Sequence, residues 1–281
     1  MKGKGAGLTN HWRRFLPKRR LGGMALADGT QLSTVRSVDD AGVFADILKG
    51  VEKPAEQTER TEHLRTLLLA QTPRAVLAQI QMDKHKHGYH NREKRLYELI
   101  DFNDMFVNLV LATPHGELKG FAERLYADMN SFCRRLETPM FTPEQFDAIV
   151  RGLSIEIAVY RAARYTGFGA HMTSRVEDAF GMDMVITNPD TKQTLNIDCK
   201  ALPAFRHRLE DMVKHGRISE AQLIKADSDQ YITTTQHQGS ESVPVTLLCI
   251  EPDSVGDIHD FTLDHPEKLR DLLNKIFLNT R

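Results

Sequence analysis

The stretch GMDMVITNPDTKQTLNIDCK, residues 181–200, decides the fold. Residues 182–187 and 194–200 are short runs rich in apolar and β-branched side chains, and Asn188-Pro189-Asp190 between them is turn chemistry, with Pro suited to the first central position. An antiparallel hairpin is expected. Side chains alternate along a strand, so Asp198 and Lys200 share one face while Ile197 and Cys199 enter the opposite layer. Asp183 opens the first strand, and the hairpin brings it near Asp198. Two carboxylates held close raise each other's proton affinity unless a cation lies between them, and such a pair favours a hard ion with oxygen ligands, Mg²⁺ first.

Outward from the hairpin, further strands are expected at 168–173 and 244–250, with helical segments between 203 and 225 and again from 266 to 278. Together they predict an α/β or α+β domain. Residues 57–167 have a helical pattern. Thr72-Pro73, Thr113-Pro114 and Thr142-Pro143 each offer a hydroxyl cap followed by Pro at the first helical position, which predicts three helix starts. Asn91 offers a fourth cap. The domain boundary is placed near Phe141, so the chain divides into a basic arm at 1–52, an α-helical region at 53–140 and the hairpin domain at 141–281.

On the helix that starts at Pro143, Ile149, Leu153, Glu156, Tyr160 and Ala163 fall on one face at about 100° per residue. A carboxylate in an otherwise core-facing stripe is costly unless it meets a metal or a basic group. Glu177 and Asp178, just before Gly181, are second-choice acids.

Gly181-Met182-Asp183, an apolar strand, a turn and then Ile197-Asp198-Cys199-Lys200 resembles the PD-(D/E)XK nuclease superfamily, in which an Asp and a D/E-x-K tripeptide lie on adjacent strands. The resemblance covers about residues 143–252. It implies a restriction endonuclease-like core, a mixed sheet flanked by helices, following the N-terminal α-helical region. It also implies Asp183 and Asp198 as Mg²⁺ ligands, with Mn²⁺ as a substitute, and the Cys199 carbonyl as an additional ligand. Lys200 would orient the attacking water or stabilise the pentacovalent phosphate, and Glu156 would be the acid that many members carry on the preceding helix. Met182 stands where the motif name has Pro, and no clear QxxxY follows, although Gln230-Tyr231 lies in roughly that region, which speaks against the RecB-type branch.

The rest of the sequence narrows the setting. A length of 281 residues, 27% charged and 41% hydrophobic, supports a core without disulfide staples. No apolar stretch reaches the ~20 residues of a membrane helix and no secretory signal opens the chain, so a cytoplasmic protein without a membrane partner is expected. Cys133, Cys199 and Cys249 are widely spaced and outside any CxxC pattern, which argues for buried thiols. Net charge is −1, yet Lys2, Lys4, Arg13, Arg14, Lys18, Arg19 and Arg20 all precede the first acid, Asp28, as a basic arm able to contact phosphates.

His85, His87 and His90 have spacings that fit no zinc helix motif. His171, Arg175, Arg206, His207 and Arg208 flank the hairpin and suit phosphate contacts. Gly167-Phe168-Gly169 marks a helix-to-strand turn, and neither a Walker sequence nor G-x-S-x-G occurs. The expected function is a Mg²⁺-dependent nuclease, an endonuclease acting on DNA with RNA not excluded, in restriction, repair, recombination or defence. The helical region would serve homodimerisation or a protein partner. The alternative is a non-catalytic nucleic-acid-binding or assembly module on the same fold.

Overall fold

The computed structural model describes residues 54–84, 92–179, 181–238 and 241–280. The basic arm, the His85, His87 and His90 segment and the Asn91 cap lie outside the described residues. The chain divides into two compact units at Phe146/Asp147.

The first unit is helical. Helix α1 (Pro54–Lys84) and helix α2 (Arg92–Ala112) bury Leu67, Leu68, Ala75 and Val76 on one and Phe102, Phe106, Val110 and Leu111 on the other. A short 3₁₀ turn (His115–Glu117) leads to α3 (Phe121–Arg135), and Phe102 packs on Phe141 with ring centroids 5.3 Å apart.

Two of the three expected Thr-Pro helix starts are absent. Pro73 lies inside α1, and the buried Thr72 hydroxyl donates back to Leu68 O at 2.8 Å instead of capping a new helix. Thr113 likewise donates to Leu109 O at 2.7 Å and closes α2, while Pro114 precedes only the 3₁₀ turn and α3 starts after Gly120. The i−4 carbonyl competes for the same hydroxyl that a cap would use, and the buried stripe of α1 carries the helix through the Pro. At Thr142-Pro143 the expected start is present. Thr142 Oγ1 accepts from Gln145 N at 3.2 Å and Gln145 Oε1 accepts from Thr142 N at 2.9 Å, a reciprocal capping box that opens α4 (Pro143–Tyr165).

The second unit is mixed α/β, a five-stranded mixed sheet flanked by helices. After α4 come β1 (Gly169–Met172), the short α5 (Arg175–Ala179), β2 (Met184–Thr187), β3 (Thr194–Ala201), α6 (Leu202–Lys214), α7 (Glu220–Asp229), β4 (Tyr231–Gln238) and β5 (Glu241–Ile250). A short α8 (Pro252–Val255), the β6 (Ile258–His259) and β7 (Thr262–Leu263) pair, and α9 (Pro266–Asn279) close it. The sheet order is β1-β2-β3-β5-β4. β1, β2 and β3 run as an antiparallel meander, β3 is parallel to β5 across the α6–α7–β4 crossover, and β4 returns antiparallel at the edge.

The helical segments expected between 203 and 225 are two helices, α6 and α7, separated at Gly216, and the strand at 231–238 has no counterpart among the strands expected from sequence. Phe205, Leu209 and Met212 of α6 and Ala226 of α7 bury Leu247 and Cys249 of β5. This cluster anchors α6 and α7 on the sheet face that carries Asp198, whose register partner is Leu247. Among the described residues no helix is long and apolar enough to cross a membrane.

Candidate metal centre

The hairpin within residues 181–200 is formed by β2 and β3, with Met184 opposite Ile197 and Thr187 opposite Thr194. Its turn is built as the sequence suggests. Asn188 Oδ1 accepts from Asp190 N at 2.9 Å and Thr191 N at 3.2 Å, and Lys192 takes the left-handed conformation at φ 60°. Ile197 and Cys199 are buried, and between them Asp198 is buried as well, with 4% of its surface exposed.

Asp183 stands one residue before β2, also 4% exposed, at a junction pinned from two sides. Its backbone N–H donates to Ile197 O at 2.8 Å, and Thr173 N donates to its carbonyl at 3.2 Å. The Thr173 hydroxyl donates to Met182 O. The Asp183 carboxylate then accepts the N–H of Cys199 through Oδ2 at 2.7 Å. Gly181, at φ +79°, permits this entry, and a Cβ there would lie 3.8 Å from both Asp198 Oδ2 and Gln236 Nε2.

Three oxygens meet at Lys200. Its ammonium donates to Asp198 Oδ1 and, at 3.0 Å, to the Cys199 carbonyl, and it lies 3.8 Å from Asp183 Oδ2. The electrostatics follow from burial and from this clustering. Burial pushes the Asp198 carboxyl up to about 6, the negative charge of Asp183 pushes the same way, and Lys200 and Arg208 only partly oppose them. Burial works to lower the Lys200 ammonium, but Asp183 and Asp198 outweigh it and hold the amine protonated well above its ordinary range. Burial also raises the Cys199 thiol well above its usual value, with Asp183 adding to the effect. In the metal-free chain that thiol is held protonated. The residue offers its carbonyl instead.

Glu156 is half-buried on α4, between the buried Leu153 and Tyr160, and its charge reaches Lys200 and Cys199. The helical face read from the sequence therefore directs its charge toward the hairpin. Glu177 is engaged locally, with its carboxylate accepting from Ser174 N at 2.7 Å.

The expected phosphate-binding residues diverge. Arg206 is paired with Asp227 through Nε at 2.7 Å and a second N–H at 3.2 Å, His171 is exposed on β1, and Arg208 shares a cleft with Asp198. Sequence reasoning missed that cleft, of about 500 Å³, and with it Arg217, Thr234 and Gln236. It exists only because β4 pairs with β5 beside α6 and α7.

The donor set suits a hard cation. Two carboxylates and a carbonyl are oxygen ligands of the kind Mg²⁺ and Mn²⁺ take, with no imidazole or thiolate to favour zinc. A second group, Asp257, His259 and Asp264, has ligating atoms within 4.8 Å of one another, but all three are exposed and His259 Nε2 already faces Asp264 Oδ2 at 3.4 Å. Comparison of the chain with protein-family models, with curated proteins and with solved structures returns no match.

Proposed function

We propose that the chain is a Mg²⁺-dependent nuclease that hydrolyses phosphodiester bonds of DNA on a restriction endonuclease-like core, and that it cuts as an endonuclease. The observation that carries this reading is the convergence of the Asp183 and Asp198 carboxylates and the Cys199 carbonyl on the Lys200 ammonium. A buried concentration of like charge is costly to maintain for structure alone, and it is the usual cost of a site that must hold a cation or a developing charge.

Asp183, Asp198 and the Cys199 carbonyl would hold the ion. Bound there, Mg²⁺ supplies Lewis-acid polarisation of a phosphoryl oxygen and a nucleophile at neutral pH. The chain's own residues do the rest. The Cys199 N–H fixes the Asp183 carboxylate, so that ligand is oriented before anything binds. Lys200, kept as an ammonium, contributes positive charge to the pentacovalent phosphate and is poorly suited to act as a base. Glu156, on the helix side, adds a smaller push in the same direction as Asp183 and Asp198, which together outweigh burial and hold Lys200 as an ammonium.

The test is incubation of the full chain with supercoiled, linear and single-stranded DNA under Mg²⁺ or Mn²⁺, beside Asp198→Asn. Nicking or linearisation of the supercoiled form by wild type alone supports the reading. DNA left intact by wild type with both ions, or cut equally by the variant, rejects it.

A further inference from the structure

The cleft that has Asp198 at one edge is lined differently from the carboxylate centre. Arg208 from α6 and Arg217 from the α6–α7 turn bring two guanidinium groups to it, while Asp198 is its sole acid. Arg208 is only loosely held by Asp211, at 3.9 Å with both side chains 39% exposed, and no carboxylate pairs with Arg217 among the described residues. Arg206, two residues before Arg208, is by contrast tied to Asp227 at 2.7 Å. Met212, Ile218 and Leu247 give the cleft an apolar floor, and Thr234 and Gln236 of the edge strand β4 supply hydrogen-bonding groups along the other wall.

A positive cleft with an apolar floor and polar edges matches a chain of alternating phosphates and bases. At about 500 Å³ the cleft is the size of a small-molecule site, and a double helix would have to stay outside it. We propose that this cleft takes unpaired nucleotides of a DNA strand on one side of the cleaved bond, with phosphates on Arg208 and Arg217 and bases against Met212, Ile218 and Leu247. The proposal rests on the nuclease reading of the neighbouring centre and adds to it the strandedness of the substrate.

Fluorescence anisotropy of the full chain without divalent metal tests it, with labelled oligothymidylate of about ten nucleotides as one probe and a duplex of equal length as the other. Arg208→Gln and Arg217→Gln should each weaken single-strand binding several-fold and flatten its dependence on log salt by about 0.7 for each phosphate no longer neutralised, with duplex binding within about twofold of wild type. Arg217→Lys should recover most of the salt slope. Arg217 is exposed and Arg208 is held only by the long contact to Asp211, so these variants should stay close to the wild-type melting temperature, read in parallel. Wild-type salt slopes in both Gln variants would overturn the proposal, as would equal losses on single strand and duplex or a wild type that does not bind the oligonucleotide. Supercoiled, linear and single-stranded DNA all left intact by the wild-type chain under Mg²⁺ and Mn²⁺ would instead remove the nuclease reading, while altered arginine salt slopes would still support single-strand binding in the cleft.

Discussion

The Asp183 carboxylate accepts the backbone N–H of Cys199 at 2.7 Å, so a side chain at the mouth of one strand is fixed by the main chain of the next. This bond gives Asp183 two tasks that can be separated. Asp183→Ala leaves a buried donor unsatisfied and should cost about 1–3 kcal/mol of stability. Asp183→Asn can still accept that bond and should unfold near the wild-type denaturant midpoint, yet lose divalent-ion binding by calorimetry. Equal destabilisation of the two variants would contradict this division.

Asp198 predicts a pH signature in the absence of metal. Its folded-state value is raised to about 6 from an ordinary 3.8, so the proton is bound more tightly in the folded chain. The stability this contributes is fully present below the unfolded value and is lost as pH rises through about 6. Asp198→Asn carries no such loss. It should therefore melt above wild type at about pH 8, and the gap should close as pH falls toward about 4. A difference between the two proteins that is constant over that range would show that the buried charge is fully compensated.

Gly181 should resist substitution for conformational reasons. At φ +79° an L side chain is strained, although the new Cβ would make only ordinary contact, 3.8 Å from Asp198 Oδ2. Gly181→Ala should cost on the order of 1 kcal/mol in chemical denaturation and, as the backbone relieves its strain, shift Asp183 and reduce metal affinity. A neutral substitution by both measures would mean that the entry into β2 is soft.

The basic arm leads to a prediction from charge order alone. Seven basic residues precede the first acid, so deletion of residues 1–20 should weaken DNA binding and flatten its salt dependence while the rate of cleavage at saturating DNA is unchanged. Identical salt slopes for the full-length and truncated chains would show that the arm takes no part.

The hairpin was legible in the sequence because its signals are local. Alternation in 194–200 and the Asn188 turn need no partner to be read, and the β2–β3 register follows from them. Glu156 was legible from helical periodicity. What local signals could not supply was competition and pairing. Thr72 and Thr113 present the same residues as a cap but spend their hydroxyls on carbonyls four residues back. Strand β4, with Ile232 its sole aliphatic residue, is an edge strand whose pairing with β5 stabilises it more than its composition does. Gln236 gains its place in the cleft from that pairing and Arg217 from the packing of α6 and α7 on β5, at distances in sequence no spacing rule reaches.

The central claim is that the oxygens gathered around Lys200 form a centre for phosphodiester hydrolysis, and the most direct test is the rate of DNA cleavage by Lys200→Ala under Mg²⁺. Lys200 is 34% exposed in its side chain and caps the cluster from outside, so the variant should fold and still bind the ion and DNA. Its turnover should fall by on the order of 10²-fold or more, the scale of removing one preorganised electrostatic interaction from the transition state. Wild-type turnover in a correctly folded Lys200→Ala protein would contradict the account.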